Sequence, residues 1–329
     1  MPTHIPFPSI EQLRNCIKEV KDTAEYHQRP APILTFYGTV KLHGTNAAVC
    51  CDVETGESWY QSRSNIITPE NDNAGFARYA SGFNFEIQLG YLSTRREEVA
   101  QIAVFGEWCG GNIQSSVALA KLPKMFVIFA VLLKLKDGSD LWLNHAERKL
   151  VFVDEVETFR ENNVYLIDNF YTSILAIDFN DPAFSQNELI RLTEAVEAEC
   201  PVARDLGVSG VGEGIVWTCE SVQPHLRFKV KGEKHSASKV KVLAAVDTEK
   251  HAAVHDFVAS VLTESRLQQG LENIPALDMK NIGSFLKWIN LDINKEEADT
   301  MEANGFTMSD VGREATKVAK DWFLARMKA

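Results

Sequence analysis

The chain has 329 residues, 45% of them hydrophobic, and a formal net charge of −11 at pH 7. That length suffices for two domains with a sizeable core, while the acidic balance argues against a protein that coats nucleic acid non-specifically, since such proteins are usually basic. MPTHIPFPSI lacks the basic start and apolar segment of a secretory leader, no apolar run reaches the ~18 residues of a bilayer span, and six cysteines without CxxC spacing suggest neither zinc nor disulfides.

Residues 9–26 show helical spacing, with Ser9 as the expected N-cap and Ile10, Leu13, Ile17 and Val20 as the apolar face. Residues 32–63 read as a meander of three strands: PILTFYGTVKL, AAVCCDV and SWYQSRS. Between the first two lies Lys41-Leu42-His43-Gly44-Thr45-Asn46. These residues make a poor core strand. They are either a strand end with an exposed lysine and a glycine turn, or an amine nucleophile beside a pliable backbone and three hydrogen-bonding side chains. The third strand ends near Arg63, a cation that the meander could bring beside Lys41, although a surface arginine is the simpler reading. Residues 74–100 are mixed and part helical, with Arg95, Arg96, Glu97 and Glu98 as a solvated face.

Next, the run QIAVFGEWCGG delivers one carboxylate, Glu107, just before a Gly110-Gly111 turn. Met125–Leu135 is almost continuously apolar, as a fully buried strand is, and Asp137-Gly138 turns it into a strand over Asp140–Leu143. Phe126 and Phe129 read as core, with at most one of them lining a ligand pocket. Residues 145–160 and 185–199 read as helices, and VYLIDNF and SILAIDF as strand-like runs between them. Glu213 heads another β-run after a glycine-rich approach. The alternation of LRFKVK then puts Arg227, Lys229 and Lys231 on one face and Leu226, Phe228 and Val230 on the other. From Arg227 to Lys241 the only acid among many bases is Glu233, which makes a candidate basic groove. Beyond Lys241 the chain turns helical, over residues 245–269, 276–290 and 307–328. His251 and His255 read there as surface residues.

Taken in order, KLHGTN, an Arg-bearing strand, FGEWCGG, EGIV and FKVK resemble the covalent nucleotidyltransferase superfamily of polynucleotide ligases and RNA-capping enzymes. The pattern looks most like the RNA ligase 2 branch, the phage-type double-strand RNA ligases. The resemblance implies an α+β fold. An antiparallel-sheet, ATP-grasp-like nucleotidyltransferase domain would span residues 1–241, and a small all-helical domain engaging nucleic acid would span 242–329. It also implies three steps: a lysine attacks ATP to form lysine–AMP, the AMP passes to a 5′-phosphate, and a 3′-OH expels it.

By this resemblance Lys41 is the nucleophile. Lys229 and Lys231 would hold the α-phosphate and leaving pyrophosphate, and supply a cationic field that favours a neutral amine. Glu107 would contact the ribose or a metal-bound water, and Glu213 would bind Mg²⁺ or Mn²⁺. Arg63 would meet the 5′-phosphate or AMP phosphate. His43 and Asn46 would orient phosphate and metal waters, Gly44 would admit the nucleotide to the backbone, and Phe126 would stack on adenine. The chain departs from the branch at Val40, where a glutamate usually helps read the adenine, and at Ala130, where an acid is usual. The expected partner is nicked duplex nucleic acid, sealed by a monomer in the cytoplasm (a host cytoplasm if phage-encoded), with no membrane. Duplex RNA is the first expectation, and DNA or mixed strands the second. A GTP-using capping enzyme fits less well, because that group has an aspartate at the position of His43 and continues into an OB domain. A non-catalytic binder has no need of the full residue set.

Overall fold

The computed structural model describes residues 2–82, 98–152, 156–170, 172–235 and 247–328. Two compact units, Met1–Ala245 and Val246–Ala329, divide the chain. The expected boundary at 241, with Lys239 and Lys241, and the Arg95–Glu97 face lie outside the described residues.

The strands of the first unit are β1 (Glu11–Gln12), β2 (Ile33–Val40), β3 (Thr45–Asp52), β4 (Ser58–Ser62), β5 (Ile66–Ile67), β6 (Val99–Cys109), β7 (Met125–Leu135), β8 (Asp140–Trp142), β9 (Val164–Leu166), β10 (Thr172–Asp178), β11 (Gly214–Cys219) and β12 (Leu226–Lys231). They form two sheets. One runs β1-β12-β11-β2-β10; the other runs β5-β4-β3-β6-β7-β8, with β9 alongside β7. All pairings are antiparallel except β1 with β12 and β7 with β9. The expected meander is thus broken: β3 and β4 pair, but β2 belongs to the other sheet. Alternation of apolar residues fixes the faces of a strand and says nothing of its partners.

In the first sheet, period two sends Phe36, Val40, Ile215, Trp217 and Phe228 to one face. There they pack with Leu13, Cys16 and Val20 of helix Leu13–Tyr26 and with Leu189, Leu192 and Val196 of helix Gln186–Ala198. The other face presents Tyr37, Thr39, Thr218 and Arg227 to Phe129 of the second sheet. Helix Leu13–Tyr26 starts later than expected, without a side-chain cap, because Glu11 and Gln12 pair with Phe228 and Lys229 along the open edge of β12. Ser9 is therefore no N-cap.

The second sheet buries Val104, Trp108, Phe126 and Ile128 with Phe76, Phe152 and Phe159 on one face. On the other, Ala48, Cys50, Phe105, Ala130 and Leu132 pack with Ile5, Phe7, Trp59 and Trp142. The β6–β7 register shifts between Phe105↔Ala130 and Gly106↔Ile128, so Phe129 is the extra residue of a bulge.

The second unit consists, among its described residues, of helices Thr248–Val261, Glu264–Glu272, Ile282–Glu296, Ala298–Ala303 and Met308–Lys328. Asp247 and Thr263 cap the first two by accepting the N–H groups of Lys250 and Arg266. Val258, Phe285, Ile289, Ile293, Val311, Ala315, Ala319 and Phe323 are fully buried in a core of its own. Among the described residues, no helix is long and apolar enough to cross a membrane.

Candidate active site

The link from one sheet to the other runs through Lys41–Gly44. Lys41 N–H donates to Gly214 O at 2.8 Å, extending the β2–β11 pairing by one residue. Leu42 is buried in the core, and the chain then passes so close to Trp108 and Cys109 that Gly44 has no room for a Cβ. Gly44 N–H donates to Glu107 Oε1 at 2.9 Å, and pairing with β6 begins at Thr45↔Trp108 and Asn46↔Glu107. Cross-strand neighbours share a face, so Asn46 stands beside Glu107.

Glu213, only 1% exposed, collects the cations at this crossing. Lys41 Nζ donates to its Oε2 at 2.7 Å, and His43 Nδ1 is 3.0 Å from the same oxygen. Lys231 Nζ lies 2.6 Å from Oε1, a close ion contact outside hydrogen-bond angles. Lys229, on the same strand face, has no side-chain partner among the described residues. Gly214, whose φ is +147°, lets the backbone after Glu213 pass tightly against Val230 and Lys231.

The two carboxylates are driven apart. Burial pushes Glu213 up, but the Lys41 and Lys231 ammoniums outweigh it and hold the group below the usual carboxylate range. Burial pushes Glu107 up to about 7, against the pull of Lys41 and of the Gly44 N–H. Burial, with Lys41 adding, also holds His43 below an ordinary histidine despite Glu213. Lys229 is lowered by burial, then by Lys231 and Lys41.

Two residues back along β2 from Lys41, a cavity of about 190 Å³ opens between Tyr37, Thr39, Phe129, His145, Thr218 and Arg227. Behind it Arg148 is buried, with Asp168 at 2.7 and 2.8 Å and Glu220 at 3.1 Å. Glu220 Oε2 also accepts the His145 backbone N–H at 2.9 Å and lies 2.7 Å from His145 Nδ1. The Arg227 guanidinium lies 4.7 Å over the Trp142 ring and 5.3 Å over Phe7, with Nη2 3.2 Å from His225 Nδ1. Burial pushes Arg227 down to about 10, Arg148 adding to the shift, and pushes His225 down to about 4.

Of the residues expected to act, the structure gathers Lys41, His43, Gly44, Glu107, Glu213 and Lys231, with Asn46 and Lys229 alongside. One expectation is corrected. Phe126 is fully buried on the far face of its strand, its ring tilted against Phe76 at 4.9 Å and lying over Gly106, so it has no access to a nucleotide at Lys41. The bulge instead turns Phe129 to the cavity. Arg63 donates to Phe7 O at 2.8 Å and clamps the N-terminal segment, and among the described residues no hydrogen bond or ion pair joins it to Lys41, Glu107 or Glu213.

Glu213 does not fit the expected metal role in this arrangement. Both its oxygens face ammonium groups, and Glu107 spends Oε1 on Gly44, so these two acids leave one open carboxylate oxygen. Stepping by twos from Lys41 and Lys231 would have found Thr39, Tyr37 and Arg227 in the sequence. Nothing in the sequence marks the bulge or the Arg148–Asp168–Glu220 cluster.

A family model described as RNA ligase matches residues 34–231, which holds β2 from Leu34, every strand from β3 to β12 and the whole Lys41–Glu213–Lys231 cluster. The chain belongs to the RNA ligase family. The fold of this RNA ligase family member is similar to solved structures of an RNA ligase from Naegleria gruberi. One, with PPi, is 19% identical with a TM-score of 0.46; a point mutant with ATP and Mn is 20% identical at 0.45; another, with AMP and Mn, is 18% identical at 0.46. Each match covers 71% of this chain and 58% of the other. No curated protein matches the chain.

Proposed function

We propose that this RNA ligase family member is an ATP-dependent polynucleotide ligase. It seals 3′-OH/5′-phosphate nicks in duplex RNA through AMP held covalently on Lys41. One observation carries the reading: Lys41 and Lys231 share the buried carboxylate of Glu213 where the chain crosses between the sheets, with Lys229 beside them. An amine, two further ammoniums and an acceptor for its proton suit phosphoryl chemistry, in which positioning and charge neutralisation do most of the catalysis.

A triphosphate draws Lys229 and Lys231 to its own oxygens. Glu213, held ionised by Lys41 and Lys231 together, then loses the Lys231 charge, and Oε2 accepts the proton of Lys41, 2.7 Å away. The Lys41 Nζ–phosphorus bond forms as the bond to pyrophosphate breaks, and pyrophosphate leaves. A 5′-phosphate oxygen next attacks the same phosphorus, freeing Lys41 and giving a 5′–5′ anhydride. The 3′-OH then attacks the nick phosphate and AMP departs. A divalent cation would reach the site on the triphosphate, whose oxygens supply the ligands that Glu213 does not.

The test is sealing of matched nicked duplexes made as all-RNA, all-DNA and both hybrids. The all-RNA nick should seal fastest, and Lys41→Ala should seal none. A DNA nick sealed as fast would move the assignment to a ligase of DNA or mixed strands, and no sealing anywhere would overturn the reading.

A further inference from the structure

Arg227 has no part in the chemistry described above, yet its position is unusual. It is half-buried and lines the cavity next to Lys41, and no carboxylate pairs with it among the described residues. The other buried charges there are matched: Arg148 with Asp168 and Glu220, and Glu220 also with His145. A guanidinium carries five N–H donors, and among the described residues only His225 takes one, at 3.2 Å. The Trp142 and Phe7 rings hold the plane still. A guanidinium fixed in this way at a cavity wall is preorganised to donate to a ligand.

The lysine cluster and the cavity two residues along the strands suit different parts of a nucleotide. Lys41, Lys229 and Lys231 form the cationic end, where the phosphates belong. The cavity has Phe129, Ile167 and Ile174 as apolar walls beside Tyr37, which suits a flat ring, and its two carboxylates, Asp168 and Glu220, stand among Arg148, Lys149 and Arg227. Thr39 is two residues from Lys41, and Arg227 two from Lys229. Each is a step of roughly 6.6 Å along a strand, comparable to the separation of an α-phosphate from its base. Val40 faces the opposite side of the sheet in the apolar core, so it takes no part in reading a base. The carboxylate oxygens of Asp168 and Glu220 are already engaged. The fixed donors of Arg227 can address the ring, beside the Tyr37, Thr39, Thr172 and Thr218 hydroxyls of the lining.

Resting on the reading of Lys41 as the nucleotide site, we propose that Arg227 is a specificity-determining residue that donates a hydrogen bond to a ring-nitrogen acceptor of the adenine of bound ATP.

The test is ATP affinity by calorimetry on the full chain carrying Lys41→Met, so that no covalent step intervenes, with and without Arg227→Met. Methionine keeps an unbranched side chain against Trp142 while removing every donor. The probes are ATP and its 1-deaza, 3-deaza and 7-deaza analogues, each lacking one ring-nitrogen acceptor. Arg227→Met should weaken ATP about 10–100-fold, the range for a hydrogen bond to a charged group. One analogue should show a similar loss with Arg227 present and no further loss in the Arg227→Met background. That coupling is a signature general destabilisation does not produce. An unchanged ATP affinity, or three analogues that lose the same factor in both backgrounds, overturns the proposal. Because binding is read without adenylylation, failure of Lys41 as nucleophile would show instead as absent labelling in the otherwise unchanged chain, with the coupling intact.

Discussion

At the scale of single residues, Glu107 and Glu213 are both acids at strand ends, and the fold drives them in opposite directions. Glu107 is pushed up to about 7 by burial, so in the native state it holds a proton that the unfolded chain has released. Its contribution to stability is therefore present below the ordinary carboxylate range and is lost as pH rises from about 4.5 to about 7, by at most about 3 kcal/mol. Glu107→Gln should flatten the pH dependence of urea-unfolding stability between pH 5 and 7; identical slopes in the two proteins would contradict this. Glu213 has the opposite sign: its stabilisation holds above the usual carboxylate range and fades as pH falls through its depressed value. The sequence marks both residues, since each follows or heads an apolar run. Their opposed environments are hidden in it, because Lys231 reaches Glu213 only through the β11–β12 pairing and Gly44 reaches Glu107 only through the crossing link.

At the scale of elements, the Lys41–Gly44 crossing is the feature on which the site depends. A Cβ at Gly44 would collide with the Trp108 carbonyl and Cys109, which are strand backbone and cannot step aside. Gly44→Ala should cost about 1–3 kcal/mol by thermal unfolding. It should also cut self-adenylylation more than tenfold, by moving Glu107 and the Lys41 backbone. Gly283→Ala, in a helix with open space around the glycine, should be neutral or slightly stabilising. Equal behaviour of the two variants would sink the packing argument. Strand extents were largely legible: β7 covers Met125–Leu135 as its apolar run predicts, and β12 alternates as LRFKVK predicts. Strand partners were not, since periodicity is a local property and pairing a global one. The same gap misassigned Phe126, because one bulge residue exchanges which phenylalanine faces the cleft.

At the scale of the whole molecule, the chain forms two units with separate cores. The first contains every residue of the proposed adenylylation step, and the second packs around its own buried aromatics. Its helices were readable from amphipathic spacing, though their role is not encoded in that spacing, and its acids outnumber its lysines and arginines. Removing residues 247–329 should therefore spare self-adenylylation and reduce nick sealing at least tenfold, measured on the same preparation. Equal loss of both activities would show that the second unit is needed for the chemistry at Lys41 itself.

The most direct measurement is incubation of the protein with α-labelled ATP and a divalent cation, followed by denaturing electrophoresis. The account predicts a label that survives denaturation and disappears in Lys41→Ala, with circular dichroism showing that the variant is still folded. No label on the unaltered chain, or a label that Lys41→Ala leaves in place, would contradict it.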